Sequence, residues 1–195
     1  MPFQHALWQA GNALSIVLSA IKAFNMPQSN DAPPPSQQRP LTIALYEPDI
    51  PQNTGTIVRL AACLALPVAI IEPAGFPVSD RAFRRAGMDY LDAATIDRHV
   101  SYAAFDAWRR AAGRRLVLAT TRGRITHTEC RFLPGDVILF GRETSGVPED
   151  VHRDADVAIR IPMLPALRSL NLAVSAAIIA GEALRQLDRF PKGTP

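Results

Sequence analysis

The chain has 195 residues, of which 48% are apolar, with a formal net charge of +3 and a pI near 9.2. That is enough chain for one α/β domain with a full core and a tail, mildly basic and normal in composition for a soluble globular protein. Two cysteines, Cys63 and Cys130, with no CxxC and no His/Cys metal spacing, exclude a disulfide framework or a zinc ribbon and fit a reducing cytoplasm. Nearly all of the basic charge is arginine, since Lys22 and Lys192 are the only lysines. Arginine suits bidentate phosphate contact, although GC-rich genomes also overuse it.

Residues 1–40 differ from the rest. Phe3, Leu7, Ala10, Leu14, Val17, Ile21 and Phe24 fall on one helical stripe. Met26 to Pro40 is rich in Pro, Ser, Gln and Asn and reads as a disordered linker. No Lys or Arg precedes the stripe, as a signal peptide would require. Gln9, Asn12, Ser15 and Ser19 interrupt it as a membrane span. The expectation is a dispensable extension over 1–40 followed by a single domain over 41–190.

From Leu41 the pattern alternates. Leu41–Tyr46 predicts a strand, and Thr56–Leu66 a helix with Asn53 or Thr54 near its cap. Val68–Glu72 is an apolar strand, and Asp80–Ala86 a short helix capped by Ser79 or Asp80. Thr95–Val100 reads as a short strand. Tyr102–Ala112 is a helix ended by Gly113. Arg115–Thr120 and Val137–Phe140 are strands of buried character, Pro148–Arg153 a helical turn, Val157–Ile161 a strand and Asn171–Leu187 a closing helix. Apolar strands separated by helices predict an α/β fold, a mostly parallel sheet covered on both faces. Ligands in such sheets bind outside the carboxyl ends of the strands. That places the candidate loops after Tyr46, Thr120, Phe140 and Ile161.

The first loop, Pro51-Gln52-Asn53-Thr54-Gly55 through Arg59, has a lone Gly and no GxGxxG, which weakens a dinucleotide reading. No P-loop and no GxSxG elbow is present. Asn53 and Arg59 lie six apart across that Gly. Arg59 reads equally as a loop-reaching side chain or a solvent-facing helix arginine. The loop Gly141-Arg142-Glu143-Thr144-Ser145-Gly146 sets Glu143 between glycines, whose backbone can approach a ligand closely. Glu143 could accept hydrogen bonds from an amine or hydroxyl, or cap the following turn. In the third loop Ser169 and Asn171 flank Leu170 at a helix entrance, beside Arg168. One N-cap needs only one of the two.

Together these segments resemble the SPOUT superfamily of RNA methyltransferases in its ribose 2′-O branch. The family's Asn-x-Gly-x-x-x-Arg is matched by Asn53, Gly55 and Arg59, and its Gly-x-Glu-x-x-Gly by Gly141, Glu143 and Gly146. Its Ile-Pro-Met followed by Ser-Leu-Asn-Leu-Ala-Val-Ser is matched by Ile161–Met163 and Ser169–Ser175. Leu45–Gly55, Glu72-Pro73 with Gly75-Phe76, and Arg84–Tyr90 are similar to the TrmL-type members, which methylate the wobble nucleotide of tRNA. The resemblance covers about residues 41–188. Those relatives commonly carry a basic residue where this chain has Ser145, and the arginine here is Arg142.

The resemblance implies a C-terminal trefoil knot, which no periodicity reveals, and a homodimer with the closing helix near the interface. The Ala face of that helix (Ala173, Ala176, Ala177, Ala180) would permit close helix packing or serve an ordinary core. It implies S-adenosylmethionine as methyl donor and 2′-O-methylation of cytidine or a modified uridine at position 34 of tRNA. Ala119, Gly141, Ile161 and Ser169 would line the adenosine end. Asn53, Arg59, Glu143, Ser169 and Asn171 would gather around the reacting ribose. Arg59 would hold phosphate and the hydroxyl oxygen, with water as proton acceptor, because guanidinium resists deprotonation. For RNA grip, Arg81, Arg84 and Arg85 come first, then Arg122 and Arg124. His99, His127 and His152 are given no role. Rival readings are a different tRNA or rRNA ribose, a non-catalytic RNA-binding protein, and last a nicotinamide enzyme.

Overall fold

The computed structural model describes residues 41–77 and 94–193. The expectations for residues 1–40 and for the helix over 80–86, with Arg81, Arg84 and Arg85, lie outside these. Seven strands form one sheet in the order β3-β2-β1-β6-β4-β7-β5. They are β1 (Leu41–Tyr46), β2 (Val68–Ile71), β3 (Ile96–His99), β4 (Leu116–Ala119), β5 (Ile125–Thr126), β6 (Asp136–Phe140) and β7 (Val157–Arg160). Every pairing is parallel, so all carboxyl ends open on one edge. The helices are α1 (Pro51–Cys63), α2 (Tyr102–Ala111), α3 (Glu149–Asp154) and α4 (Leu172–Leu187).

Both faces of the sheet are covered. Side chains alternate along a strand, so Leu41, Ile43 and Leu45 of β1 join the core beneath α1 and α4, while Ala44 and Tyr46 face α2 and α3. Of the Ala face on α4, Ala173, Ala176 and Ala180 are buried in the first of these cores and Ala177 is exposed. Burial on two faces is why β1, β2 and β6 are mostly apolar, with Thr42 and Asp136 the polar exceptions.

Helix ends follow local chemistry. Ser101 caps α2 by accepting from the Ala104 amide at 3.2 Å, and Gly113 follows that helix at φ +61°. The expected start of α1 needs correction. The helix begins at Pro51, with Ile50 as an N-cap that makes no side-chain bond. Proline at a first helical position gives up an amide that would lack a partner anyway. Asn53 therefore sits inside the first turn, with its side chain available elsewhere.

The two residues of β5 were not expected from the sequence. Ile125 pairs with Ile159, which also pairs with Ala119 of β4. The link from Thr120 to Arg124 must therefore cross the backbone of β7. It crosses at Gly123, where an added Cβ would lie 2.2 Å from the Ile159 carbonyl carbon and 2.5 Å from the Arg160 nitrogen. Arg160 clamps the crossing by donating to the carbonyls of Gly123 (2.7 Å) and Arg124 (3.1 Å). This strand order, with β7 lying between two strands joined by a short link, is compatible with the expected knot. Gly123→Ala is expected to lower the melting temperature by about 5 °C or more, roughly 2 kcal/mol of overpacking against backbone that cannot yield; thermal unfolding by circular dichroism checks this.

Candidate functional site

The carboxyl ends of β4, β6 and β7, together with the N-termini of α1 and α4, surround a cavity of about 440 Å³, within the range of small-molecule sites. Its lining includes Asn53, Ala119, Gly141, Glu143, Ile161, Ser169 and Asn171. Seven of the residues expected at the cofactor and ribose thus converge from four separate stretches of chain. Arg59 is not among the lining residues. It lies six positions beyond Asn53, roughly 120° around α1 and about 9 Å along its axis, on the exposed side with Gln52 and Thr56. Arg122 and Arg124 also lie outside the cavity and are exposed. Arg122 pairs with Glu149 at 3.2 Å, both side chains largely in solvent.

Three polar side chains at the cavity, Asn171, Asn53 and Glu143, form one directed chain. Asn171 is the N-cap of α4, and its Oδ1 accepts from the amides of Ala173 (2.9 Å) and Val174 (3.3 Å). Of the two capping candidates at this entrance, Asn171 is therefore the cap. With its oxygen fixed by the helix, the amide nitrogen points outward and donates to Asn53 Oδ1 at 2.9 Å. Asn53 Nδ2 then donates to Glu143 Oε1 at 3.1 Å. The helix amides allow only one assignment of oxygen and nitrogen along the whole chain. This answers the alternatives left open for Glu143: it caps no helix, and α3 opens at Pro148 without a side-chain cap.

The loop that carries Glu143 is tightly folded. Arg142 and Gly146 exchange backbone hydrogen bonds at 3.0 and 2.9 Å, and Gly146 has φ +70°. A Cβ on Gly141 would lie 2.6 Å from the Gly146 carbonyl carbon. Arg142 donates to Glu47 at 3.1 Å and sits 3.9 Å from Asp49, so it braces the β1–α1 loop rather than reaching outward. Asp49 was not singled out in the sequence. It accepts from the Glu143 amide (3.3 Å) and the Thr144 hydroxyl (2.5 Å).

The electrostatics follow from this packing. Burial raises Glu143 above the ordinary glutamate range, and the adjacent Asp49 carboxylate adds to the rise. Asp49 is held well below its usual value, first by its hydrogen bond with Glu143 and then by Thr144. Two carboxyls this close cannot both ionise cheaply, which is why the two shifts run in opposite directions. The expected contacts missed by sequence reading also include Thr120, Thr121, Phe140 and Met163 in the lining. Thr120 follows β4 and Phe140 ends β6, strands whose position the sequence predicts, and that was the available signal. Among the described residues no group of His, Cys, Asp and Glu gathers as a metal cluster, and no helix is long and apolar enough to cross a membrane.

The geometry has counterparts. A protein of Ancylobacter novellus named tRNA (cytidine(34)-2'-O)-methyltransferase is 60% identical over 152 residues, covering 78% of this chain and 96% of its own. A solved structure described as "Structural insights into the 2-OH methylation of C/U34 on tRNA" aligns with a TM-score of 0.70 at 42% identity, over 76% of this chain and 96% of that one. The SpoU methyltransferase AviRb from Streptomyces viridochromogenes, in complex with the cofactor AdoMet, aligns with a TM-score of 0.69 at 28% identity, over 79% of this chain and 60% of that one. The model of the SpoU rRNA Methylase family matches residues 40–181, and with the cavity built by that same stretch, the chain belongs to this family.

Proposed function

We propose that the protein transfers a methyl group from S-adenosylmethionine to the ribose 2′-oxygen of nucleotide 34 of tRNA, a cytidine or a modified uridine. The observation that carries this reading is the directed chain Asn171–Asn53–Glu143 on the wall of a cavity of cofactor size. The relative named for this reaction is 60% identical over 78% of the chain, and the structure described for it aligns over 76%. The cavity fits the donor: strand-end loops with close backbone approach at Gly141, beside the N-terminus of α4.

When bound, the donor supplies a methyl carbon on a positively charged sulfur, and transfer forms an O–C bond as the C–S bond breaks, releasing the hydroxyl proton. The protein's task is alignment, holding the oxygen roughly 3–3.5 Å from the carbon. Ala119, Gly141, Ile161 and Ser169 hold the adenosine end through backbone groups. Asn53, Glu143, Ser169 and Asn171 orient the ribose. Arg59, outside the cavity on the exposed side of α1, contacts the phosphate beside the target nucleotide and so positions the ribose, with water taking the proton. Arg122 and Arg124 contact flanking phosphates. The Arg122–Glu149 pair is exposed and worth little, so a phosphate replaces it readily. Arg81, Arg84 and Arg85 are assigned the same task. The reaction belongs in the cytoplasm, where tRNA is found.

A homodimer completes this reading. Leu164, Leu167, Leu170, Val174 and Ile178 are exposed on the loop before α4 and on α4 itself, apolar side chains of the kind an interface covers. A second copy of the same chain covers it. Val174→Glu combined with Ile178→Glu is expected to halve the mass measured by light scattering; an unchanged mass removes this interface.

The assignment itself is tested with the full chain, labelled donor and tRNA. Label should enter tRNA carrying an ordinary nucleotide 34 and fail to enter the same tRNA with 2′-deoxyribose at that position. Incorporation into both excludes the 2′-oxygen of nucleotide 34, and absence of donor binding by calorimetry favours a non-catalytic RNA-binding protein. Arg59→Lys keeps the charge but loses the planar fork. It should lower kcat/KM about tenfold or more, about 1.4 kcal/mol, while near-wild-type kinetics rule Arg59 out of this role.

A further inference from the structure

We propose that Asp49 is a positioning residue for this site, fastening the Glu143 loop and accepting a proton carried on Glu143 Oε2, so that Oε1 stays turned toward Asn53. The inference deepens the proposed reaction and rests on it for its catalytic consequence. Asp49 lies on the β1–α1 loop, outside the cavity lining, and grips the Glu143 loop twice, at the Glu143 amide and the Thr144 hydroxyl. Both of its carboxylate oxygens are thus anchored on that loop. Glu143 Oε1 is taken by Asn53, while its Oε2 is buried and has no other donor to receive. A buried carboxylate oxygen left that way is costly. A proton on Oε2 that is donated to Asp49 removes the cost and satisfies the group.

The other charges around the pair agree. Arg142 on the same loop is 3.9 Å from Asp49 and bonds to Glu47, which favours ionisation of Asp49 rather than Glu143. Arg168, from the loop before α4, is exposed and lines the same cavity. Asn53 and Asn171 contribute only neutral amides. If Glu143 also ionised, two carboxylates would repel across the contact that fastens the Gly141–Gly146 loop to the β1–α1 loop. The proton on Glu143 is therefore a structural part of the site, and Asp49 keeps it there.

The test is carbon-13 NMR of the full chain labelled at the glutamate carboxyl carbons, without donor or RNA, so its outcome is independent of which substrate is methylated. The Glu143 signal is identified by its loss in Glu143→Gln. In the wild type it should titrate clearly above about 4.3, the ordinary glutamate value. Asp49→Asn removes the neighbouring charge and should lower that midpoint by about one unit or more, while kcat falls about tenfold, as for loss of a residue that orients a catalytic group. Should Asp49→Asn fail to fold, Thr144→Val is the milder variant. It removes one donor to Asp49 and should raise the Asp49 midpoint, read in aspartate-labelled protein. A wild-type Glu143 midpoint in the ordinary range overturns the proposal. So does a midpoint unmoved by Asp49→Asn, or by Thr144→Val for Asp49 where that variant is used.

Discussion

The site depends on what the first amides of α4 require. A helix N-terminus has backbone donors with no intrahelical partner. Asn171 satisfies two of them with one oxygen, and that need turns its nitrogen toward Asn53. Everything further along is then determined. Asn53 can only accept on one side and donate on the other, and Glu143 must accept. Side chains separated by 118 and 90 positions are brought into contact by these two hydrogen bonds. The same requirement explains why the residues of the family pattern must be amides and a carboxyl rather than any polar side chains. A hydroxyl at Asn53 could not span acceptor and donor across that distance.

The parallel sheet supplies the platform. With all pairings parallel, every strand delivers its following loop to the same edge. Two helices also begin there. Their partial positive charge offsets the local negative charge of Glu47 and Asp49. Arg142 does the same from within, bonded to Glu47. This is a costly arrangement in isolation and a sensible one beside RNA. The acidic groups are compensated inside the protein, so they do not repel phosphate, and the exposed arginines remain on the outer surface.

Much of this was legible in the chain. β1, β2, β4, β6 and β7 are apolar runs bounded by polar or turn residues, and periodicity located each within a residue or two. Gly113 marked the end of α2 correctly. Asn53 misled, because asparagine is a good N-cap and Pro51 was not given its weight as a helix opener. The helix therefore starts earlier than expected and uses Asn53 for a tertiary contact. β5 is too short to show any period. The bond from Arg142 to Glu47 spans 95 positions, and no local pattern announces such a pairing. Asp49 was hidden for the same reason. Its spacing to Asn53 suggests a helix approach, and its partners lie on a different loop. The loop motifs, by contrast, were recognisable because their small residues answer a steric demand visible in one dimension: Gly141 and Gly146 pass within contact of each other.

The crossing at Gly123 also orders events in time. β7 and α4 close the cavity, and they are the last elements of the domain to leave the ribosome. They must find a place between strands already present, beneath a link with no room for a side chain. An unfinished chain can therefore assemble β1, β2, β4 and β6 yet lacks the floor and the cap on which the methyl donor would rest. A chain that stops before α4 therefore lacks one wall of the cavity and the Asn171 end of the hydrogen-bonded chain.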